Sequence, residues 1–174
     1  MKDLLIFGTI AAIIILLFER REKTDKTDEK KETKLTNSGS PNPSGKNRGL
    51  KNNNPGNIRK SSDTFQGEIL PSGDSAFKQF KTMQYGERAI FVVLNTYAKK
   101  YGRDTIKSIV ERWAPANENN TDLYIEQVEK WSGINRNVKI TNDEQKIKVV
   151  CAIIRKETSY IASKTELKQA LKMV

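Results

Sequence analysis

The chain opens with an uncharged, largely apolar stretch from Leu4 to Phe18, bounded by Asp3 and Glu19. The hydrocarbon core of a bilayer takes ~20 helical residues, and ~17 is near the lower limit. The stretch approaches that length when the first three residues are counted. A secretory signal peptide is the alternative, but residues 19–22 are charged where small residues would mark a cleavage site. We therefore predict a single N-terminal transmembrane helix over residues 1–18, acting as a membrane anchor.

Residues 19–45 change from mixed charge to Ser, Asn, Pro and Gly. Such a composition offers too little apolar surface to form a core. A single helix stabilised by ion pairs is the alternative for the charged half. We predict a linker that joins the anchor to a folded domain over residues 46–174.

In the folded segment the apolar positions first alternate and then recur at helical spacing. Residues 65–69 and 76–80 alternate on either side of Pro71-Ser72-Gly73-Asp74, which predicts a short β-hairpin. Farther along, apolar residues three and four apart, bounded by capping residues, predict helices. Their expected ranges are about 85–101, 105–113, 121–131, 142–157 and 165–173. The predicted fold class is α+β, mainly helical, with a small β-hairpin region.

The chain has a formal charge of +10, and residues 46–174 carry +9 of it. A basic surface indicates an anionic partner such as a cell-wall polymer, an acidic lipid or a nucleic acid. A solvated basic surface is the alternative, because the chain is rich in Lys and Asn throughout. The chain contains one cysteine and no histidine. Nucleophile–histidine pairs and ordinary zinc hydrolase sites are therefore excluded, so acid–base chemistry would rest on carboxylates. No metal or cofactor is expected.

The asparagine loop, Asn52–Arg59, reads Asn-Asn-Asn-Pro-Gly-Asn-Ile-Arg. Proline fixes φ, glycine tolerates positive φ, and asparagine side chains bond nearby backbone. We predict a rigid turn at the start of the domain, with Asn54 and Asn57 as candidates for contact with a polar ligand. A polar surface loop is the alternative.

Glu157 is the first candidate for a catalytic carboxyl group. It continues the apolar stripe of Ile147, Val150 and Ile154, at the carboxyl end of its helix, where the helix dipole disfavours an anion. A general acid must hold a proton near neutral pH. The alternative is an ordinary glutamate bonded to a neighbouring cation or amide. Glu68, in the predicted hairpin, is the candidate for a second carboxylate, although a solvated hairpin residue is commoner.

Four aromatic residues are candidates for sugar stacking, namely Trp113, Tyr124, Tyr97 and Phe65. Trp113 stands at a helix end, just before Ala114-Pro115, and Tyr124 lies in the following helix. At helical spacing, aromatic side chains belong to the core more often than to a binding platform, and Trp113 is the better exception.

Six spaced motifs together resemble a family of bacteriophage virion-associated peptidoglycan hydrolases, which are small lysozyme-like proteins. They span most of residues 46–157 and comprise Arg48-Gly49-Leu50-Lys51 with the asparagine loop, Phe77-x-x-Phe80, Tyr85-Gly86-x-x-Ala89, Arg112-Trp113-Ala114-Pro115, Glu118-Asn119-x-Thr121-x-x-Tyr124 and Ile153-Ile154-Arg155-x-Glu157. The resemblance implies a lysozyme-like domain. It does not extend to the anchor or the linker.

Two shorter likenesses bear on the site. Residues 155–160 are similar to the helix-ending Glu-Ser signature of lytic transglycosylases, with Thr158 where the signature has Ser. The asparagine loop resembles the Asn-Asn-x-x-Gly-Ile-Lys region of cell-wall glucosaminidases. In those relatives the glutamate precedes the loop, whereas Glu157 follows it, so the order would fit a circularly permuted lysozyme-like fold.

The resemblance implies a peptidoglycan-cleaving muramidase, with a lytic transglycosylase favoured, and Glu157 as its acid. The glycan strand would be its substrate, and the anchor would place it in the internal membrane of a virion or the host inner membrane, beside capsid or membrane proteins. The alternative is a non-enzymatic, membrane-anchored virion structural or wall-binding protein with an inactive domain. A nucleic-acid partner is disfavoured, because the chain lacks a spaced Arg/Lys recognition helix.

Overall fold

The computed structural model describes residues 46–117 and 119–174, all within the second of the two units into which the chain divides, Asn42–Val174. The predicted anchor and linker, residues 1–18 and 19–45, lie outside the described residues. None of the helices in the described part is long and apolar enough to cross a membrane.

The described part is mainly helical, with little strand. Its helices are α1 (Lys46–Lys51), α2 (Met83–Tyr101), α3 (Ile106–Trp113), α4 (Thr121–Ser132), α5 (Asp143–Thr158) and α6 (Lys164–Leu171). The helices predicted from the sequence are confirmed within a few residues, whereas α1 is a helix that the pattern did not predict.

The helix ends follow the residues expected to set them. Thr105 and Asn120 accept backbone hydrogen bonds at the starts of α3 and α4. Gly102 and Gly133, with φ of 61° and 67°, end α2 and α4 in the left-handed conformation. The capping box of α5 joins Asn142 to Gln145, one residue later than the spacing around Thr141 indicated.

One apolar core joins α2 to α6. Helix α5 is its centre, because it packs against α1, α2, α4 and α6. Its inner face is apolar and fully buried, with Val149, Val150, Ile153 and Ile154 at 0% exposure. This packing fixes the position of α5, whose carboxyl end carries Glu157.

The predicted hairpin is reduced to one antiparallel bridge between its two segments, with backbone hydrogen bonds from Ile69 to Gln79 and from Lys81 to Gly67 on either side. Glu68 pairs with Phe80, and Arg59 pairs with Phe77, so the loop segments form no continuous ladder. Side chains also bond the backbone of this loop. Asp74 accepts from the backbone N–H groups of Ala76 and Phe77, both at 2.9 Å. Alternation in this stretch therefore reflects a side-chain-braced loop rather than a sheet edge.

Candidate functional site

The asparagine loop is braced from within by Asn54. Its Nδ2 donates to the carbonyl oxygens of Ile58 and Lys78, both at 2.9 Å, and its Oδ1 accepts from the Ile58 N–H at 2.9 Å. Asn54 is completely buried. The expected ligand contact by Asn54 is therefore not supported, because the whole amide is used to hold the loop.

The loop also sits unusually close to the helices beneath it. A Cβ on Gly86 of α2 would lie 1.9 Å from the Asn53 carbonyl oxygen. A Cβ on Gly56 would lie 2.9 Å from the Ile90 side chain of α2 and 3.0 Å from the Trp113 ring. Since Cβ atoms do not approach other atoms so closely, these two glycines permit the contact. The loop is thus seated against α2 and the end of α3.

Asn57 reaches from this loop to the end of α5. It adopts a left-handed backbone conformation, with φ of 47°. Its Nδ2 donates to Oε2 of Glu157 at 2.9 Å, while its Oδ1 is buried without a hydrogen-bond partner among the described residues. Asparagine tolerates this backbone better than most residues, which accounts for its presence at the turn.

Two aromatic side chains bond the other oxygen of the same carboxyl group. The Tyr124 hydroxyl donates to Oε1 of Glu157 at 2.7 Å, and Nε1 of Trp113 donates to it at 3.2 Å. The structure therefore brings together four of the candidate residues, from α3, α4, α5 and the asparagine loop, around the half-buried carboxyl group of Glu157.

Tyr124 does not form the sugar platform that was expected of it. Tyr124 is only 2% exposed, so its ring face is unavailable for stacking, and its role is the hydrogen bond to Glu157. Burial, and then the nearby Glu157 carboxylate, raise the pKa of Tyr124 well above its usual value. The hydroxyl thus keeps its proton and remains a donor. Trp113 is half-buried, so sugar stacking on its ring stays a prediction.

Glu68 lies elsewhere, in a buried ion pair. Its Oε1 is 2.9 Å from Nζ of Lys78, with the two side chains 3% and 2% exposed, and its Oε2 accepts from the Phe65 N–H. Lys78 also donates to the Asp63 carbonyl oxygen at 2.7 Å. Neither the cleft-facing nor the solvated position expected for Glu68 is found, because its carboxylate neutralises a buried lysine.

The sequence pattern did not predict α1, nor the ion pair between Arg48 of α1 and Asp74. Nε and Nη2 of Arg48 each donate to Asp74 at 2.6 Å, and Asn52 adds a third bond at 2.8 Å. The Arg48 guanidinium is the main cause that holds the pKa of Asp74 far below its usual range. No local signal reveals a pair 26 residues apart, although the glycine inside α1 indicates a close contact.

Comparison with known proteins gives one informative similarity. No protein-family model matches the chain. A stretch of 113 residues, 63% of this chain, is 46% identical to protein P5 of Pseudoalteromonas phage PM2 and covers 70% of that protein. At this identity and coverage, the chain belongs to the family of the phage protein P5.

Proposed function

We propose that this protein is a peptidoglycan-cleaving muramidase, of the lytic transglycosylase type, with Glu157 as its catalytic acid and base. The observation that carries the proposal is the convergence of Asn57, Trp113 and Tyr124 on one carboxyl group at the end of α5. Three separate elements supply these donors. Such convergence fixes the position of the carboxyl group, which proton transfer requires.

The hydrogen bonds indicate which oxygen transfers the proton. A carboxyl group has about four lone-pair positions. Oε1 accepts two donors, from Tyr124 and Trp113, whereas Oε2 accepts only the Asn57 amide. The free position is therefore on Oε2, next to the asparagine loop, and the scissile bond would lie there.

In the proposed reaction, Glu157 donates its proton to the glycosidic oxygen between N-acetylmuramic acid and N-acetylglucosamine. The C1–O bond breaks, and the leaving sugar departs with the proton. The carboxylate, held by its three donors, then takes the proton of the muramoyl 6-hydroxyl as that oxygen bonds to C1. An anhydro sugar is formed and the acid is restored.

The single-carboxylate route is favoured over hydrolysis by two carboxylates. A hydrolytic pair requires a second free carboxylate about 5–9.5 Å from the acid. Glu68, the second candidate, is enclosed with Lys78 instead. Because Glu68 is held in this ion pair, a mechanism that uses only the carboxyl group of Glu157 is favoured.

We propose further that the described domain is lysozyme-like, in the permuted order inferred from its motifs. The acid at a helix end beside a bridged, strand-poor loop supports this assignment. The N-terminal anchor would hold the enzyme in the virion internal membrane or the host inner membrane, and virion proteins would be its neighbours. The relationship to a phage protein supports this setting.

A non-enzymatic structural role is the second candidate. The same three donors would serve equally well to tie α3, α4 and the asparagine loop to α5 without any chemistry. The full chain, purified in detergent and incubated with purified peptidoglycan, distinguishes the two. Mass spectrometry should detect soluble anhydro-muropeptides; reducing ends would indicate hydrolysis, and no release at all would support the structural role.

A further inference from the structure

The last turn of α5 carries two cations directly before Glu157. Nζ of Lys156 lies 5.4 Å from the centre of the Tyr124 ring, and the Arg155 guanidinium lies 4.4 Å from the centre of the Trp131 ring. Within the part of the chain that the structure describes, neither side chain forms an ion pair with a carboxylate. Aromatic rings, rather than anions, hold both cations in place.

Lys156 shares its aromatic partner with the candidate acid. The ring of Tyr124 lies under the Lys156 ammonium, while the hydroxyl of the same ring donates to Glu157 at 2.7 Å. Because Tyr124 is almost fully buried, its ring is a fixed support. The half-exposed lysine therefore shares Tyr124 with the candidate acid, and its ammonium forms no ion pair with any described carboxylate.

We propose that Lys156 binds a carboxylate of the substrate, so that the site prefers glycan strands carrying acidic peptides over neutral ones. This inference rests on the proposed function and adds a specificity determinant to it. An ammonium has three donors and recognises a carboxylate as a point charge. Placed beside the acid, it would fix the strand by its peptide branch while Glu157 addresses the glycosidic bond.

Arg155 supplies a matched control on the same helical turn. It too is stacked on an aromatic ring and lacks a described ion-pair partner, but Trp131 has no hydrogen bond to Glu157. Loss of Arg155 removes the same charge from the same helix end. A general electrostatic effect would therefore follow either substitution, whereas a specific carboxylate contact follows only the loss of Lys156.

The test measures binding of the full chain in detergent to disaccharide-peptide units that lack the bond to be cleaved. One set keeps its peptide carboxylates, and the other has them converted to amides. Lys156→Met retains the apolar stem over Tyr124. We expect it to weaken binding of the acidic units by about fivefold, as for one partly exposed ion pair, with the amidated units unaffected. Arg155→Met should change neither, and Lys156→Arg should retain most of the affinity.

Turnover of intact peptidoglycan provides the second measurement. Lys156→Met should raise KM with kcat within about twofold of wild type, because the contact acts on binding alone. Equal weakening toward acidic and amidated units, or no weakening, would overturn the inference while wall cleavage by the wild type left the proposed function intact. A wild-type protein that binds neither set would refute the inference, and the proposed function would be refuted as well if that protein released no muropeptides from the wall.

Discussion

Gly49 of α1 lies so close to the side chain of Asn57 that no larger residue fits at position 49. A Cβ at position 49 would lie 2.7 Å from Oδ1 of Asn57, 2.8 Å from Cγ2 of Thr158 and 2.9 Å from the Asn54 carbonyl oxygen. Helix α1 therefore forms the floor beneath the amide that bonds Glu157. The position of the candidate acid, Glu157, therefore depends on the absence of a side chain at Gly49 in α1.

Gly49→Ala should consequently impair both stability and activity. Overpacking of a tight contact typically costs ~1–3 kcal/mol, and a misplacement of ~1 Å at a catalytic group can cost on the order of 10²-fold in rate. Thermal unfolding and muropeptide release measure the two effects. Gly73→Ala is the matched control, because its Cβ would meet only Oε1 of Gln79, at 3.4 Å. Full activity of Gly49→Ala would contradict the close contact.

Glu157→Gln should abolish muropeptide release with little change in the melting temperature. The amide oxygen can still accept from Tyr124 and Trp113, and the unpaired Oδ1 of Asn57 can turn to accept from the new amide nitrogen. Loss of a general acid typically costs ~10²–10⁴-fold. Release above about a tenth of the wild-type rate would rule out Glu157 as the acid. Glu68→Gln, run in parallel, should unfold the loop around Lys78 more readily.

Substitution of Asn54 should mainly reduce stability, whereas substitution of Asn57 should mainly reduce activity. Asn54→Ala leaves the buried Ile58 N–H and the Lys78 carbonyl oxygen unbonded, while the Ile58 carbonyl oxygen keeps its bond from the Lys78 N–H at 3.0 Å. It should therefore lower the free energy of unfolding by ~1–3 kcal/mol or more. Asn57→Gly, which keeps the left-handed backbone at φ of 47° without strain, removes one bond to Glu157 and an amide oxygen that was already unpaired. It should reduce activity more than stability. Denaturant titration and turnover assays decide, and the reverse order would refute these roles.

The sequence pattern predicted helices well because capping residues and apolar spacing act locally. It also indicated Glu157, since the stripe that includes Ile154 continues to that position and points it inward. The contacts of Arg48 with Asp74 and of Lys78 with Glu68 join side chains far apart in the chain or buried within a loop. Neither spacing nor composition encodes such pairs, so the loop was predicted as a hairpin.

Glu87 should make the domain less stable as the pH rises. Its side chain lies in a fully buried part of α2, with Oε1 unbonded among the described residues. Burial, and then the charge of Glu166, raise its pKa from 4.5 to about 7. The unfolded chain therefore releases this proton near pH 4.5 while the folded chain keeps it. Stability present below pH 4.5 is lost progressively up to about pH 7.

Glu87→Gln should remove this loss, because the amide stays neutral at every pH. As the pH rises from 4.5 to 7, the variant should gain unfolding free energy relative to the wild type by on the order of 2–3 kcal/mol. Thermal unfolding across that range measures it. Glu126→Gln, at an exposed position of α4, is the control. Curves that remain parallel would contradict the shifted ionisation of Glu87.

The enclosed pair of Lys78 and Glu68 has a consequence for how this loop can vary. Removing either partner leaves one charge buried and uncompensated, which typically costs ~3–5 kcal/mol, whereas replacing both with apolar residues can be neutral. Each single substitution is thus strongly destabilising, whereas the original pair and the doubly substituted apolar pair are both tolerated. Among members of the family, the two positions should be inherited as a unit, changing together or not at all.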